Sequence, residues 1–121
     1  MLLVGVDIIE FSQIEKPLVK YGQRFKKLVY TEREISVCEK CTNSVSAYAE
    51  RFALKEASMK AFGTGAANGI YWSQIEYLGN NQKTLNFTGK SKSFIEENKI
   101  TNVSFSISSS NSFSVAVVVL S

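Results

Sequence analysis

The chain has 121 residues, of which 45% are hydrophobic and 21% are charged, and its formal net charge at pH 7 is +3. This length supports one domain with a modest core, and this charge is too small to indicate nucleic-acid binding by itself. No stretch approaches the roughly 18 apolar residues of a membrane-spanning helix, and the apolar start lacks the basic segment of a signal peptide. We therefore expect residues 1–121 to form a single cytoplasmic domain.

The sequence contains no histidine. Its absence excludes Ser-His-Asp and Cys-His catalysis, and the two cysteines, Cys38 and Cys41, would supply only half of a tetrahedral zinc site. In a charged helical segment, their spacing favours an interpretation as small packing residues over a redox motif. Any metal ion should therefore be a hard cation held by carboxylates.

The first predicted element is a strand over Leu2–Ile9, where Val and Ile alternate with other residues. Its side chains point to two faces: Val4, Val6 and Ile8 on one, and Leu3, Gly5, Asp7 and Ile9 on the other. Aspartate is rare in strands. Asp7 therefore either caps the following turn or acts as a ligand at the end of the strand.

A basic region follows the strand. Ser12 and Glu15 resemble a capping box, but Pro17 lacks the N–H that a continuous helix needs, so we expect a turn and then a helix that starts near Pro17. The basic side chains of this region are Lys16, Lys20, Arg24, Lys26 and Lys27. Such a run usually forms a solvated face, yet here it is also the one basic cluster that could steer an acidic partner.

Two helices come next. Thr31 and Glu34 form a clearer capping box and predict a helix to about Lys40. A longer helix, capped by Ser44 or Ser46, should run to about Phe62 and end at Gly63 in the left-handed conformation. The glycine-rich run at 63–69 follows the end of a helix, so it does not match a Walker A loop, and capping explains it.

The second half predicts two hairpins and a short helix. The strands Ile75–Leu78 and Thr84–Phe87 flank a turn, Thr88 is expected to cap the helix, and the strands Val103–Ser108 and Phe113–Leu120 close the chain. In the third of these strands, one face carries Ser104, Ser106 and Ser108, and the other carries Phe105 and Ile107. The order predicts an α+β fold, with an antiparallel sheet and helices mostly in the first half.

The longest predicted helix carries two charges on its apolar side. At about 100° per residue, this side holds Tyr48, Ala49, Phe52, Ala53 and Met59, and the opposite side holds Arg51, Lys55 and Ser58. Glu56 and Lys60 fall on the apolar side, where a charge is costly unless it is paired or binds an ion. Either they form a pair worth about 0.3 kcal/mol, or the side lines a cleft that binds a cation and an anionic ligand.

The two carboxylates out of place, Asp7 and Glu56, are of a kind that binds Mg²⁺ together with substrate phosphates and waters. Lys60 lies one turn after Glu56 and could neutralise charge on a phosphate or a leaving group. These residue types fit phosphoryl transfer, where positioning and charge neutralisation supply most of the catalysis.

Three segments resemble the holo-acyl-carrier-protein synthases, the small 4′-phosphopantetheinyl transferases. They are GVDIIE at 5–10, the run RFALKEA at 51–57 with KAFGTG at 60–65, and the closing Ser-x-Ser hairpin. The resemblance covers nearly the whole chain. It implies the 4′-phosphopantetheinyl transferase fold and a single transferase domain over residues 1–121.

The resemblance also implies a reaction of fatty acid biosynthesis: Mg²⁺-dependent transfer of 4′-phosphopantetheine from coenzyme A to a serine of apo acyl carrier protein, releasing 3′,5′-ADP. By position, Asp7 and Glu56 would hold Mg²⁺, Glu56 or a water that it orients would take the serine proton, and Lys60 would stabilise the departing phosphate. The contacts to coenzyme A would come from Arg51, Lys60, Gly63, Thr64, Gly65 and Ser109.

The family resemblance further implies a homotrimer, and acidic acyl carrier protein docking on Lys16, Lys20, Arg24, Lys26 and Lys27. Three positions depart from the family pattern: Ser109 replaces a histidine that contacts substrate, Gln13 stands where relatives often carry arginine, and Pro17 is unusual. The missing histidine keeps an alternative open, a catalytically inactive binding or oligomerisation module of the same fold.

Overall fold

The computed structural model describes residues 1–63, 69–79 and 81–121. The strands of this part of the chain are β1 (Leu3–Glu10), β2 (Ile75–Gly79), β3 (Gln82–Phe87), β4 (Val103–Ser109) and β5 (Phe113–Leu120). The helices are α1 (Phe11–Tyr21), α2 (Gln23–Val29), α3 (Glu32–Glu39), α4 (Ser44–Phe62) and α5 (Gly89–Glu97), with a 3-10 turn at Trp72–Gln74. The predicted α+β class is confirmed. Within the described residues, no helix is long and apolar enough to cross a membrane.

The strands form two sheets instead of the single sheet that the sequence predicted. One sheet is antiparallel with the order β1-β5-β4, and the other is the β2-β3 hairpin. They are separate because they pack against different faces of α4. Gly5 of β1 lies against the backbone of α4 at Ala57, whereas the carbonyl of Leu78 in β2 accepts a hydrogen bond from Arg51 on another face.

Helix α4 is consequently buried on almost every side. The predicted apolar side is confirmed at Ala49 and Ala53, which are fully buried. The side predicted to lie opposite is buried as well at Arg51, Lys55 and Ser58, and β2 and α3 supply partners for the first two of these side chains. Helical periodicity could not show this, since it separates faces only when one of them meets water.

The contact between β1 and α4 is unusually close. A Cβ atom added to Gly5 would lie 1.8 Å from the carbonyl oxygen of Ala57 and 2.7 Å from the backbone nitrogen of Ala61. Only glycine fits at such a distance. The approach brings the side chains that flank Gly5 on β1 within reach of those that flank Ala57 on α4.

Two helix starts differ from prediction. The backbone N–H of Glu10 donates to Gln13 Oε1 at 2.9 Å, so α1 begins at Phe11 and contains Pro17 instead of starting there. Asn43, not Ser44 or Ser46, caps α4 by accepting the backbone N–H of Ser46 at 3.1 Å. In both helices the capping hydrogen bond involves a residue that precedes the predicted cap. Ser12, Ser44 and Ser46 therefore lie inside the helices.

The other predicted helix ends are largely confirmed. Thr31 and Glu34 form the expected capping box at α3, and Gly63 ends α4 with a φ of 89°, in the left-handed region. Thr88 precedes α5 as expected, although its side chain accepts no capping hydrogen bond.

The outer face of the three-stranded sheet is apolar. Val6 is 52% exposed and Ile8 is 60% exposed, and the antiparallel register places valines of β5 beside them. We call this surface the outer sheet face; it comprises Val4, Val6, Ile8, Val115, Val117 and Val119. The three alternate serines of β4 extend it toward the sheet edge, while Phe105 and Ile107 pack against the core as predicted.

Candidate active site

The structure brings Asp7 and Lys60 together beside Glu56. Lys60 Nζ donates to Asp7 Oδ1 at 2.9 Å and to the carbonyl oxygen of Val6 at 3.2 Å. Asp7 lies within β1, opposite Ala116 of β5, so it neither caps a turn nor ends the strand. The simple Glu56–Lys60 pair is also not what forms, because the ammonium group bonds to Asp7.

The Glu56 carboxyl is electrostatically unbalanced. Partial burial raises its pKa, and the negative charge of Asp7 raises that pKa further, while Lys60 and the Trp72 side chain act in the opposite direction. The negative charge of Asp7 therefore disfavours the ionised form of Glu56. When both carboxylates are ionised, they share one lysine, and a bound cation would neutralise the excess negative charge.

The chemistry of these donors fits Mg²⁺. Both candidate ligands are carboxylates, and the ion usually takes one or two carboxylates and completes its shell with waters and substrate phosphates. No group of three or more possible ligand side chains occurs in residues 1–63, 69–79 and 81–121. A Mg²⁺ ion held by Asp7 and Glu56 would also reduce the repulsion that raises the pKa of Glu56.

Arg51 has a structural role in this arrangement. Its guanidinium donates to the carbonyl oxygens of Ala47 at 3.0 Å and Leu78 at 2.7 Å, and it lies over the ring of Tyr77. The side chain is buried. Because both terminal nitrogens already bind backbone carbonyls, the structure gives no support to the predicted contact between Arg51 and coenzyme A phosphates.

The remaining predicted contact residues are only partly described. Gly63 is exposed at the end of α4, whereas Thr64 and Gly65 lie outside the described residues. Ser109, at the end of β4, is exposed and shares hydrogen bonds with Glu50 Oε2 at 3.1 Å and with Ser114 Oγ at 2.7 Å. The Ser109 hydroxyl is therefore at the surface and donates to Glu50. The family pattern has an imidazole at this position.

Sequence reasoning missed two features beside the site. The ring of Trp72 packs on Phe52, one helical turn before Glu56, with centroids 6.0 Å apart, and its Nε1 is buried without a hydrogen-bond partner among the described residues. Lys55 is fully buried and forms an ion pair with Glu34 at 2.6 Å. The available signals were that Trp72 is the only tryptophan and that Lys55 immediately precedes Glu56.

The basic region forms a surface along α1 and α2. Lys16, Lys20, Arg24 and Lys27 are exposed, and a groove of about 780 Å³ runs beside them, lined by Pro17, Tyr21, Arg24, Phe25, Lys27 and Leu28. Lys26 differs from the rest. It is only partly exposed and pairs with Glu39 at 3.1 Å, so its charge is already neutralised within the chain.

The two cysteines have different surroundings. Cys38 is buried and Cys41 is exposed, and both are free thiols. Burial raises the pKa of Cys38 to about 12, the opposite of the depressed pKa of a reactive thiol. For Cys38 this supports the interpretation as a packing residue.

Comparison with known proteins agrees with the geometry. The model of the 4′-phosphopantetheinyl transferase superfamily matches residues 3–118. The curated holo-[acyl-carrier-protein] synthase of Leptospira biflexa is 41% identical over 121 residues, which cover 98% of this chain and 95% of that protein.

Solved structures give the same result. The Neisseria meningitidis holo-[acyl-carrier-protein] synthase superposes with a TM-score of 0.85 and 30% identity, covering 98% of this chain and 97% of that one. The Helicobacter pylori holo-[acyl-carrier-protein] synthase in complex with coenzyme A has a TM-score of 0.82 and 30% identity, and the match covers 98% and 100% of the two chains. These likenesses confirm the fold that the sequence predicted.

Proposed function

The chain belongs to the 4′-phosphopantetheinyl transferase superfamily, and we propose that it transfers 4′-phosphopantetheine from coenzyme A to a serine of apo acyl carrier protein, releasing 3′,5′-ADP. The observation that supports this most is the cluster of Asp7, Glu56 and Lys60 on adjoining faces of β1 and α4. The proposal treats residues 1–121 as one transferase domain of a cytoplasmic protein in fatty acid biosynthesis.

The proposed metal ligands are Asp7 and Glu56. Bound Mg²⁺ would supply charge neutralisation at the pyrophosphate of coenzyme A. The Asp7–Lys60 ion pair leaves Asp7 Oδ2 available as a metal ligand, because Lys60 bonds to Oδ1. The unbalanced charge at Glu56 supports its role as the second ligand.

The chain's own side chains would carry the proton and the leaving-group charge. Glu56, or a water that it orients, would accept the proton of the attacking serine hydroxyl. Lys60 is 56% exposed, so it can turn from Asp7 toward a phosphate. There it would stabilise the departing 3′,5′-ADP.

We further propose that coenzyme A contacts Gly63, Thr64, Gly65 and Ser109 as well as Lys60. The Helicobacter pylori relative binds coenzyme A, which supports this ligand for the same fold. Ser109 can donate a hydrogen bond but carries no positive charge, so we expect a weaker phosphate contact than a protonated imidazole would give.

The acidic carrier protein would dock on the exposed basic side chains of α1 and α2. Changing Lys20 or Arg24 to glutamate should raise the KM for carrier protein about tenfold with little change in kcat, because these charges act on association. Lys92→Glu on α5, which is also exposed, serves as the matched control. An equal rise in KM for the control would contradict docking on α1 and α2.

We also propose a homotrimer in which the outer sheet face is covered by neighbouring copies. An apolar face of this kind is typical of an association surface, and the residues of this face are apolar over two adjacent strands. Light scattering should give three times the chain mass of 13.5 kDa. Val6→Glu should dissociate the assembly, whereas Val19→Glu on exposed α1 should not. A wild-type monomer at micromolar concentration would contradict the trimer.

Intact-mass measurement of apo acyl carrier protein tests the transferase activity itself. Incubation with the protein, coenzyme A and Mg²⁺ should add one phosphopantetheine group per carrier molecule, and chelation of Mg²⁺ should prevent it. A carrier whose target serine is changed to alanine is the control for specific transfer. No mass gain over hours by the wild-type protein would favour the inactive module.

A further inference from the structure

We infer that the buried ion pair of Lys55 with Glu34 is a positioning device for the active site: it anchors the Trp72–Tyr77 segment to α4 and thereby holds the Trp72 indole beside Glu56. The inference rests on the proposed transferase function. It concerns residues that do not touch substrate and act through their neighbours.

The ammonium group of Lys55 is fully used inside the protein. Its Nζ donates to Glu34 Oε1 at 2.6 Å, to the carbonyl oxygen of Trp72 at 3.0 Å and to that of Ile75. The Lys55 and Glu34 side chains are 1% and 0% exposed. A lysine has three donors, and here all three are satisfied without water.

The Glu34 carboxylate also binds the backbone at the start of α3 and in β2. Its Oε1 accepts the backbone N–H of Thr31 at 3.0 Å, and its Oε2 accepts the backbone N–H of Tyr77 at 3.0 Å. The start of α3, the middle of α4, the 3-10 turn and the first residues of β2 are therefore held by one ion pair. The bonds to Trp72, Ile75 and Tyr77 fix both ends of a six-residue segment.

This segment places the Trp72 side chain on the side of α4 that carries Glu56. The Trp72 ring packs on Phe52, and its Nε1 is buried without a hydrogen-bond partner among the described residues. Phe52 lies one helical turn before Glu56, on the same side of α4, so this packing places the Trp72 ring on the side of the helix that carries Glu56. The lysine that anchors the Trp72 backbone is thus adjacent in sequence to that carboxylate.

Stability alone is a poor explanation for such a pair. Burying two charges costs solvation, and apolar residues of similar volume often serve equally well. Apolar side chains could not, however, bind the carbonyls of Trp72 and Ile75 and the N–H of Tyr77 at the junction of the 3-10 turn and β2. The directional bonds determine where the segment lies.

The test uses the double variant Lys55→Met with Glu34→Gln, which removes both charges together and leaves a side chain able to accept the Tyr77 N–H. Because Trp72 is the only tryptophan, its fluorescence reports this segment alone. We expect emission at longer wavelength, stronger quenching by acrylamide, and a kcat that is about 10- to 100-fold lower, with the KM for coenzyme A within about threefold.

The matched control is Leu120→Ala, a core truncation in β5 that should lower the unfolding temperature without moving the emission of Trp72 or changing kcat by more than about twofold. Unchanged emission and kcat in the folded double variant would overturn the inference. If the double variant does not fold, Glu34→Gln alone must show the same emission shift, and its absence would overturn the inference.

A coupling measurement separates positioning from general damage. Trp72→Phe keeps a ring against Phe52 but removes the indole N–H, and it should lower kcat about fivefold in the wild-type background. In the double-variant background the same change should cost less than about twofold, because the indole is already displaced. The inference would be overturned if Trp72→Phe lowered kcat by the same factor in both backgrounds, or if it left kcat unchanged in the wild-type background. The emission measurements need no turnover, so they also distinguish its failure from a failure of the proposed transferase function.

Discussion

Lys55 and Glu56 are consecutive residues of α4, yet their charges have opposite surroundings. Lys55 is fully buried, and each of its three donors has a partner within the chain. Glu56 is partly exposed, and its nearest charges are another carboxylate and a lysine that bonds to that carboxylate. One charge is completely satisfied by the fold, and the other is left with an excess of negative charge.

The difference teaches where function can lie in this molecule. A charge whose hydrogen-bonding capacity is used up can hold segments in place, but it has nothing left to offer a ligand. A carboxylate that the fold leaves partly uncompensated can bind a cation or accept a proton. On α4, the face that carries Lys55 therefore holds the fold together, and the face that carries Glu56 is available for binding and catalysis.

The largest effect should follow from removing a carboxylate of the unbalanced cluster. Asp7→Asn and Glu56→Gln keep the size of each side chain, so transfer should fall by about 10²- to 10⁴-fold while circular dichroism and the unfolding temperature show a folded protein. Carrier mass gain at saturating Mg²⁺ measures the loss. Full activity of either variant would break the contrast between the two charges.

A smaller loss is expected at the lysine of the cluster. Lys60→Met should lower kcat by about 10²-fold because it removes a donor to the departing phosphate, whereas the Kd for coenzyme A should change less. Stability should change by less than about 1 kcal/mol, since the Asp7–Lys60 pair is largely exposed on the lysine side. Turnover equal to that of the wild type would remove Lys60 from the mechanism.

The close approach of β1 to α4 gives the next prediction. Gly5→Ala should destabilise the fold by about 3 kcal/mol, because the added methyl group would overlap the Ala57 carbonyl. Gly63→Ala, where an added Cβ meets nothing within 4 Å, should cost only about 1 kcal/mol through its left-handed backbone. Denaturant unfolding compares the two, and equal costs would contradict the close approach.

The smallest expected effect is on the pH dependence of stability. The folded pKa of Glu56 lies above its unfolded value, so this group stabilises the protein below pH of about 4.3, and that contribution is lost as the pH rises through the folded pKa. The unfolding temperature of Glu56→Gln, relative to that of the wild type, should therefore increase as the pH rises. A difference independent of pH would contradict an unbalanced Glu56.

Much of this picture was predictable from the sequence. Alternating Val and Ile residues indicated β1, the Thr31–Glu34 spacing indicated the start of α3, and misplaced charges pointed to Asp7, Glu56 and Lys60. These signals are local, because each depends on periodicity or on a bond within one turn.

The errors came from contacts between distant segments. Arg51 and Lys55 fell on the side of α4 expected to meet water, and only the position of β2 shows that carbonyls from that strand satisfy them. The position of Trp72 likewise depends on a hydrogen bond to Lys55, which is 17 residues away in the sequence. Pro17 lacks an N–H, which predicted a helix start there. The sequence did not indicate the Glu10–Gln13 hydrogen bond, with which α1 begins earlier.

The most direct test of the account is a crystal structure of the protein with coenzyme A and Mg²⁺. The account predicts one ion beside the pyrophosphate, with a carboxylate oxygen of Asp7 and one of Glu56 each at about 2.0–2.1 Å from it. An ion bound at that pyrophosphate without either carboxylate in its coordination shell would contradict the central claim.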